Sequence, residues 1–108
     1  MDTTTTATDL VALHRHEEGA AGGYLLARRA AVAAGARFAS LGQLVIQHPT
    51  RLDYRAAWHK ADDAYHAAVA RARQAYAVWQ RAAYRYDQCW TAHQRNAVEV
   101  ASSTPRAA

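Results

Sequence analysis

The stretch VIQHPTRLDYRAAW, residues 45–58, decides the fold. Pro49 has no backbone N–H and cannot continue a helix, and it biases His48 away from helical geometry. Thr50 followed three residues later by Asp53 reads as a capping-box start for a new helix. Gln47-His48-Pro49-Thr50 is therefore a tight turn between two helical segments. A short connection makes such segments antiparallel neighbours.

Working outward from the turn, each side carries one helix-type seam. On the N-terminal side Leu13, Ala20, Tyr24, Ala27, Ala31, Ala34, Phe38, Leu41 and Val45 recur. Their steps alternate between three and four once Glu17 is admitted as a polar member, which is a heptad pattern. On the C-terminal side neither Gly nor Pro occurs from Arg51 to Val98. The seam there runs Tyr54, Trp58, Ala61, Tyr65, Ala68, Ala72, Ala75, Trp79, Ala82, Tyr86, Cys89 and His93. The expected fold is all-α: a long antiparallel two-helix hairpin, about 8–47 and 51–98, with helices of roughly 60–70 Å at 1.5 Å per residue. Thr6 or Thr8 can cap the first helix, with Asp9 near its positive end. Residues 1–7 read as a disordered leader, 8–100 as a single domain and 101–108 as a disordered tail.

Side-chain size tests the register. With the turn centred on Pro49 and Thr50, facing residues have numbers summing to about 99. Phe38 then meets Ala61, Ala34 meets Tyr65, Tyr24 meets Ala75 and Ala20 meets Trp79. Large faces small each time, as close packing requires. Gly19, Gly22 and Gly23 fit less well, since each costs up to about 1 kcal/mol relative to Ala in a helix. Either they break the first helix, or they make room beside Tyr76 and Trp79.

Composition agrees with a helical chain. Alanine makes up roughly a quarter of the 108 residues, and Ala is the best helix former. The basic residues are arginines apart from Lys60, and the formal net charge is +4. The one cysteine, Cys89, excludes an intramolecular disulfide framework and a multi-cysteine metal site. No secretory signal is visible. The run Ala30 to Ala36 is far shorter than the about 20 apolar residues of a membrane span. A cytoplasmic location and no membrane association are the expectation.

The seams do not use up the apolar residues. Leu25, Val32, Ala39 and Ile46 form a second row on the first helix, and Val69, Tyr76, Ala83 and Trp90 form one on the second. One helix pair covers only a narrow stripe on each helix, and monomers rarely leave large apolar patches bare. Leu25, Val32, Val69, Tyr76 and Trp90 are thus the expected self-association residues, giving a homodimeric four-helix bundle.

Charge is also patterned. No carboxylate lies between Glu18 and Asp53 or between Asp63 and Asp87. Arg28, Arg29, Arg71, Arg73, Arg81 and Arg85 fall in those gaps, and the register sets Arg28 opposite Arg71. A basic belt at mid-rod is expected to bind an acidic protein surface or a nucleic-acid backbone.

Metal and catalytic motifs are weak. His59, Asp63 and His66 share one helical face but have no fourth ligand and face solvent. Cys89 and His93 lie one turn apart on the seam, where a cysteine is usually inert packing. His14-Arg15-His16-Glu17-Glu18 lacks the spacing of a zinc-helix motif, and Gly19 to Gly23 is no phosphate loop. Neither cofactor, metal nor catalysis is expected of a two-helix rod, which offers little concavity.

The length and topology resemble the WXG100 family of secreted helical hairpins. Where that family has Trp-x-Gly at the turn, this chain has Gln47-His48-Pro49-Thr50. The C-terminal Tyr-x-x-x-Asp/Glu signal is replaced by Tyr84 with Gln88 and Tyr86 with Trp90. The residues themselves favour a non-enzymatic interaction protein: an adaptor, inhibitor or assembly subunit, a class common among small phage and mobile-element proteins. It would bind another macromolecule through apolar and Arg-rich faces. The alternatives are a nucleic-acid-binding hairpin dimer and a secreted WXG100-like hairpin lacking the signature.

Overall fold

The computed structural model describes residues 6–103, with side chains to residue 102. Two helices make up the fold: α1, Ala7–Gln47, and α2, Leu52–Ser103. They lie side by side in a rod of 91 × 26 × 15 Å. The leader and tail expected from the sequence fall mostly outside the described residues. Within them, Thr6 caps α1, and α2 runs to Ser103, past the expected end near residue 98.

Thr6 closes the N-terminus of α1 with a reciprocal capping box. The Asp9 N–H donates to Thr6 Oγ1 and the Thr6 N–H donates to Asp9 Oδ2, both at 3.1 Å. The Thr6 amide, followed by its hydroxyl, holds the Asp9 carboxyl below its ordinary value by favouring the charged form. At the other end the His48 N–H donates to the Leu44 carbonyl at 2.8 Å. Pro49 then stops the helix, and the Arg51 N–H donates to the His48 carbonyl at 3.0 Å, closing the turn.

The start of α2 departs from the expected Thr50–Asp53 pair. Arg51 grips the Asp53 carboxylate with two bonds, Nε to Oδ1 at 2.9 Å and Nη2 to Oδ2 at 2.6 Å. Its guanidinium also stands 4.1 Å from the centre of the Tyr54 ring. A forked, planar cation satisfies a carboxylate better than a backbone amide does. The Arg51 contact accordingly holds Asp53 below the usual carboxylate range.

Every seam position named from the sequence is half-buried or buried. The rings of the two helices interleave. Phe38 lies between Trp58 and Tyr65, at centroid distances of 5.6 and 6.2 Å and nearly parallel to both. That sets Phe38 over Ala61, which is buried. Tyr24 stacks on Trp79 at 5.7 Å and meets Tyr76 edge-on at 5.3 Å. Among the described residues those buried are Leu10, Ala61, Ala68 and Ala82, so the centre of the rod is mostly alanine. Small residues at those points let the helices come close enough for the rings on either side to mesh.

The register is one residue from the expected one. Gly35 packs on Tyr65, Gly42 on Trp58, Tyr24 on Tyr76 and His14 on Tyr86, and each pair of numbers adds to 100. Residue n of α2 thus lies level with residue 100 − n of α1.

The first helix runs unbroken through Gly19, Gly22 and Gly23. Nor do these glycines clear space for Tyr76 and Trp79: a Cβ at any of the three would meet nothing within 4 Å. Clearance is provided instead by Gly35 and Gly42. A Cβ there would stand 3.1 Å from Tyr65 Cε1 and 3.3 Å from Trp58 Nε1 respectively.

Candidate interaction surfaces

A two-helix rod has two broad faces, and the chain makes them chemically different. Side chains seven residues apart lie on one row of such a helix. On the first face α1 presents the rows of Arg28 and Val32, and α2 those of Val69 and Arg73.

These rows meet in an open groove of about 580 Å³. Tyr24, Val32 and Gly35 form its α1 wall, Tyr65, Val69 and Tyr76 its α2 wall. Arg28 and Arg73 stand on opposite rims. Toward the termini a second groove of about 410 Å³ lies on the same rows, between Val11, His14 and Glu18 of α1 and Tyr86 and Trp90 of α2.

The expected self-association residues are therefore placed as follows. Val32, Val69 and Tyr76 converge in the larger groove. Leu25 is two turns from Val32 on the same row, sharing a shallow hollow with Arg28, Arg29 and Val32. Trp90 lies in the terminal groove. Leu25, Val32, Ile46, Tyr76 and Trp90 are between 45% and 73% exposed, so the fold itself leaves this apolar strip bare. Val69 is half-buried.

The arginines do not form one belt. Residues 71 and 73 stand about 200° apart around α2, so Arg71 and Arg73 occupy opposite faces. Arg28 shares its groove with Arg73, where the sequence register had set it against Arg71. Arg71 and Arg85 belong to the row of Ala57, Ala64 and Val78, on the second face. There Arg37 and Lys60 flank a groove floored by alanines, Ala34, Ala57, Ala61 and Ala64. Arg81 adjoins this row and is exposed. Neither the α2 row 57, 64, 71, 78, 85, 92 nor the α1 row 16, 23, 30, 37 contains a carboxylate. Among the described residues Arg28, Arg29, Arg37, Arg71, Arg73, Arg81 and Arg85 make no ion pair. Arg37 and Lys60 were missed as a pair in the sequence because they lie on different helices, joined only by the register.

The residues weighed for metal or catalytic chemistry are dispersed. His59, Asp63 and His66 are exposed. His66 turns to Asp62, its Nδ1 2.9 Å from both Oδ1 and the carbonyl oxygen. The Asp62 carbonyl, then its charge, raises His66 above its ordinary value. Cys89 and His93 are half-buried, and the His93 ring lies 6.3 Å from Trp90. His14 lies against Tyr86 and is 3.0 Å from Glu18. Among the described residues no group of three His, Cys, Asp or Glu side chains could hold a metal ion, and no helix is long and apolar enough to cross a membrane.

Compared with known proteins, the chain matches no family model, no curated protein and no solved structure.

Proposed function

We propose that this chain is a non-enzymatic interaction protein, an adaptor, inhibitor or assembly subunit, that works by laying its groove-bearing face on another macromolecule. One observation carries the reading. Among the described residues the fold buries four yet leaves a strip of large apolar side chains in water along one face, with arginines on its rims. Contiguous exposed apolar surface bounded by charge is what protein contact sites present. The test is recovery of bound macromolecule by the tagged full chain from nuclease-treated host lysate. Val32→Asp with Tyr76→Asp should abolish recovery, and Val78→Asp on the other face should not. Equal recovery by all three proteins overturns the reading.

A second reading rests on the other face. The rows of Arg37, Lys60, Arg71 and Arg85 carry charge of one sign over small side chains. Such a surface suits a polyanion such as a nucleic-acid backbone, whose binding weakens steeply with salt. Recovery that disappears on nuclease treatment supports it.

A further inference from the structure

We propose that the groove-bearing face is occupied by a second copy of this chain, running antiparallel and shifted toward the termini, so that Arg28 meets Glu18 of the other copy and Arg73 meets Asp87. The inference rests on the reading above and specifies its partner.

Charge along this face fixes the alignment. Asp87 lies two heptads from Arg73 on one row of α2, level with position 13 of α1, while Arg73 is level with position 27. Glu18 lines the terminal groove and Arg28 the larger one. The terminal third of the face thus carries Glu18 and Asp87 beside Arg15, and the middle third carries arginines without a carboxylate. Two such faces stack antiparallel about a twofold axis that sets α1 on α1 and α2 on α2. The midpoint between Glu18 and Arg28 is position 23, and that between Asp87 and Arg73 is level with position 20. Both fall within about 2 Å of an axis between Ala21 and Gly22, at 1.5 Å per residue. One axis position satisfies all four ion pairs. A dimer centred on the paired length of the two helices, positions 7 to 47 of α1, sets Arg28 beside its own copy, and a parallel dimer sets Arg28 over Arg73. Like charges placed across an interface oppose both.

Shape agrees with charge. Trp90 is level with position 10, and the same axis carries it to position 33, where Val32, Gly35 and Val69 wall the larger groove. Tyr76 is carried over Ala83, so a ring again lies on a small residue. Ala21, on the row of Arg28, stands at the axis, where two helices need small side chains to approach. The terminal groove donates its tryptophan and the central groove receives it, twice by symmetry. The overlap spans about 45 Å of a rod 26 Å wide, roughly 1,000 Å² per copy, which meets the about 800 Å² of a standard stable interface. Glu18 is free to re-aim, because its present bond to His14 is an exposed pair of little worth.

The experiment is sedimentation equilibrium of the full chain with charge variants, joined to cross-linking. The wild type should be a dimer at micromolar concentration. Arg73→Asp should weaken it at least tenfold, and adding Asp87→Arg should restore it, with helicity by circular dichroism unchanged throughout. In a Cys89→Ser background, Ala21→Cys should cross-link to its own copy with a short bismaleimide, and Val78→Cys should not. A monomeric wild type, a swap without rescue, or cross-linking through Val78→Cys alone overturns the proposal. A monomer that still captures another protein through Val32 and Tyr76 defeats this inference and leaves the interaction reading standing.

Discussion

The ring of Tyr65 rests on the bare backbone of Gly35, with Cε1 3.1 Å from where a Cβ would stand. Phe38 stacks on the same ring, which restricts how far it yields. Gly35→Ala therefore sets a helix-propensity gain of up to about 1 kcal/mol against a forced shift of Tyr65. Gly19→Ala and Gly22→Ala meet no such neighbour. Each should stabilise by about 0.5–1 kcal/mol, and Gly35→Ala should be neutral or destabilising. Thermal unfolding at one fixed protein concentration ranks the three, and a Gly35→Ala protein as stable as Gly22→Ala contradicts the packing described.

Ala68 is 3% exposed, on the seam between the helices. Ala68→Leu adds three carbons where no space exists, and overpacking of this kind costs about 1–3 kcal/mol. Ala67→Leu, one residue away and exposed, should lie within about 0.5 kcal/mol of the parent. Urea unfolding followed by circular dichroism distinguishes them.

His66 links stability to pH through Asp62. Its folded-state value is raised, so the charged ring favours the folded state. That contribution is complete below the ordinary histidine value of about 6.5 and is lost as pH rises through the higher folded value. NMR titration should place the His66 midpoint above that of a model histidine, and Asp62→Asn should bring it down. An unchanged midpoint in Asp62→Asn, which keeps the backbone carbonyl, would show that the carboxylate adds nothing to it.

The second face should account for any polyanion binding. If Arg37, Lys60, Arg71 and Arg85 contact duplex phosphates, affinity falls with salt at a log–log slope of about −0.9 per contact. Arg71→Ala should flatten the slope by about one, and Arg73→Ala should leave it unchanged because that side chain stands on the other face. Equal effects of the two substitutions would show that the faces are not separate.

The seams were legible because burial along a helix pair repeats every three and four residues, and Tyr24, Phe38, Trp58 and Tyr65 obey it. The register was legible to one residue because rings demand small partners. That last residue mattered. A shift of one moves Tyr65 from Ala34 to Gly35, and it turns an unremarked glycine into the packing site, while a Cβ at Gly19, Gly22 or Gly23 would meet nothing. The arginines misled for a geometric reason. Counting charge along the chain groups Arg71 with Arg73, whereas the helical turn separates them by about 200°. The Arg51–Asp53 pair was hidden because Thr50 offered an equally good capping signal.

Among the described residues three of the four that are buried are alanines, and they are spaced from Ala61 to Ala82 along α2. Such a molecule has no nucleus whose loss unravels everything at once. Its cohesion is spread like the teeth of a zip, so matched pieces trimmed from the open end should leave a shorter hairpin still closed at Pro49. Evolution could therefore tune how far this rod reaches without redesigning what holds it shut.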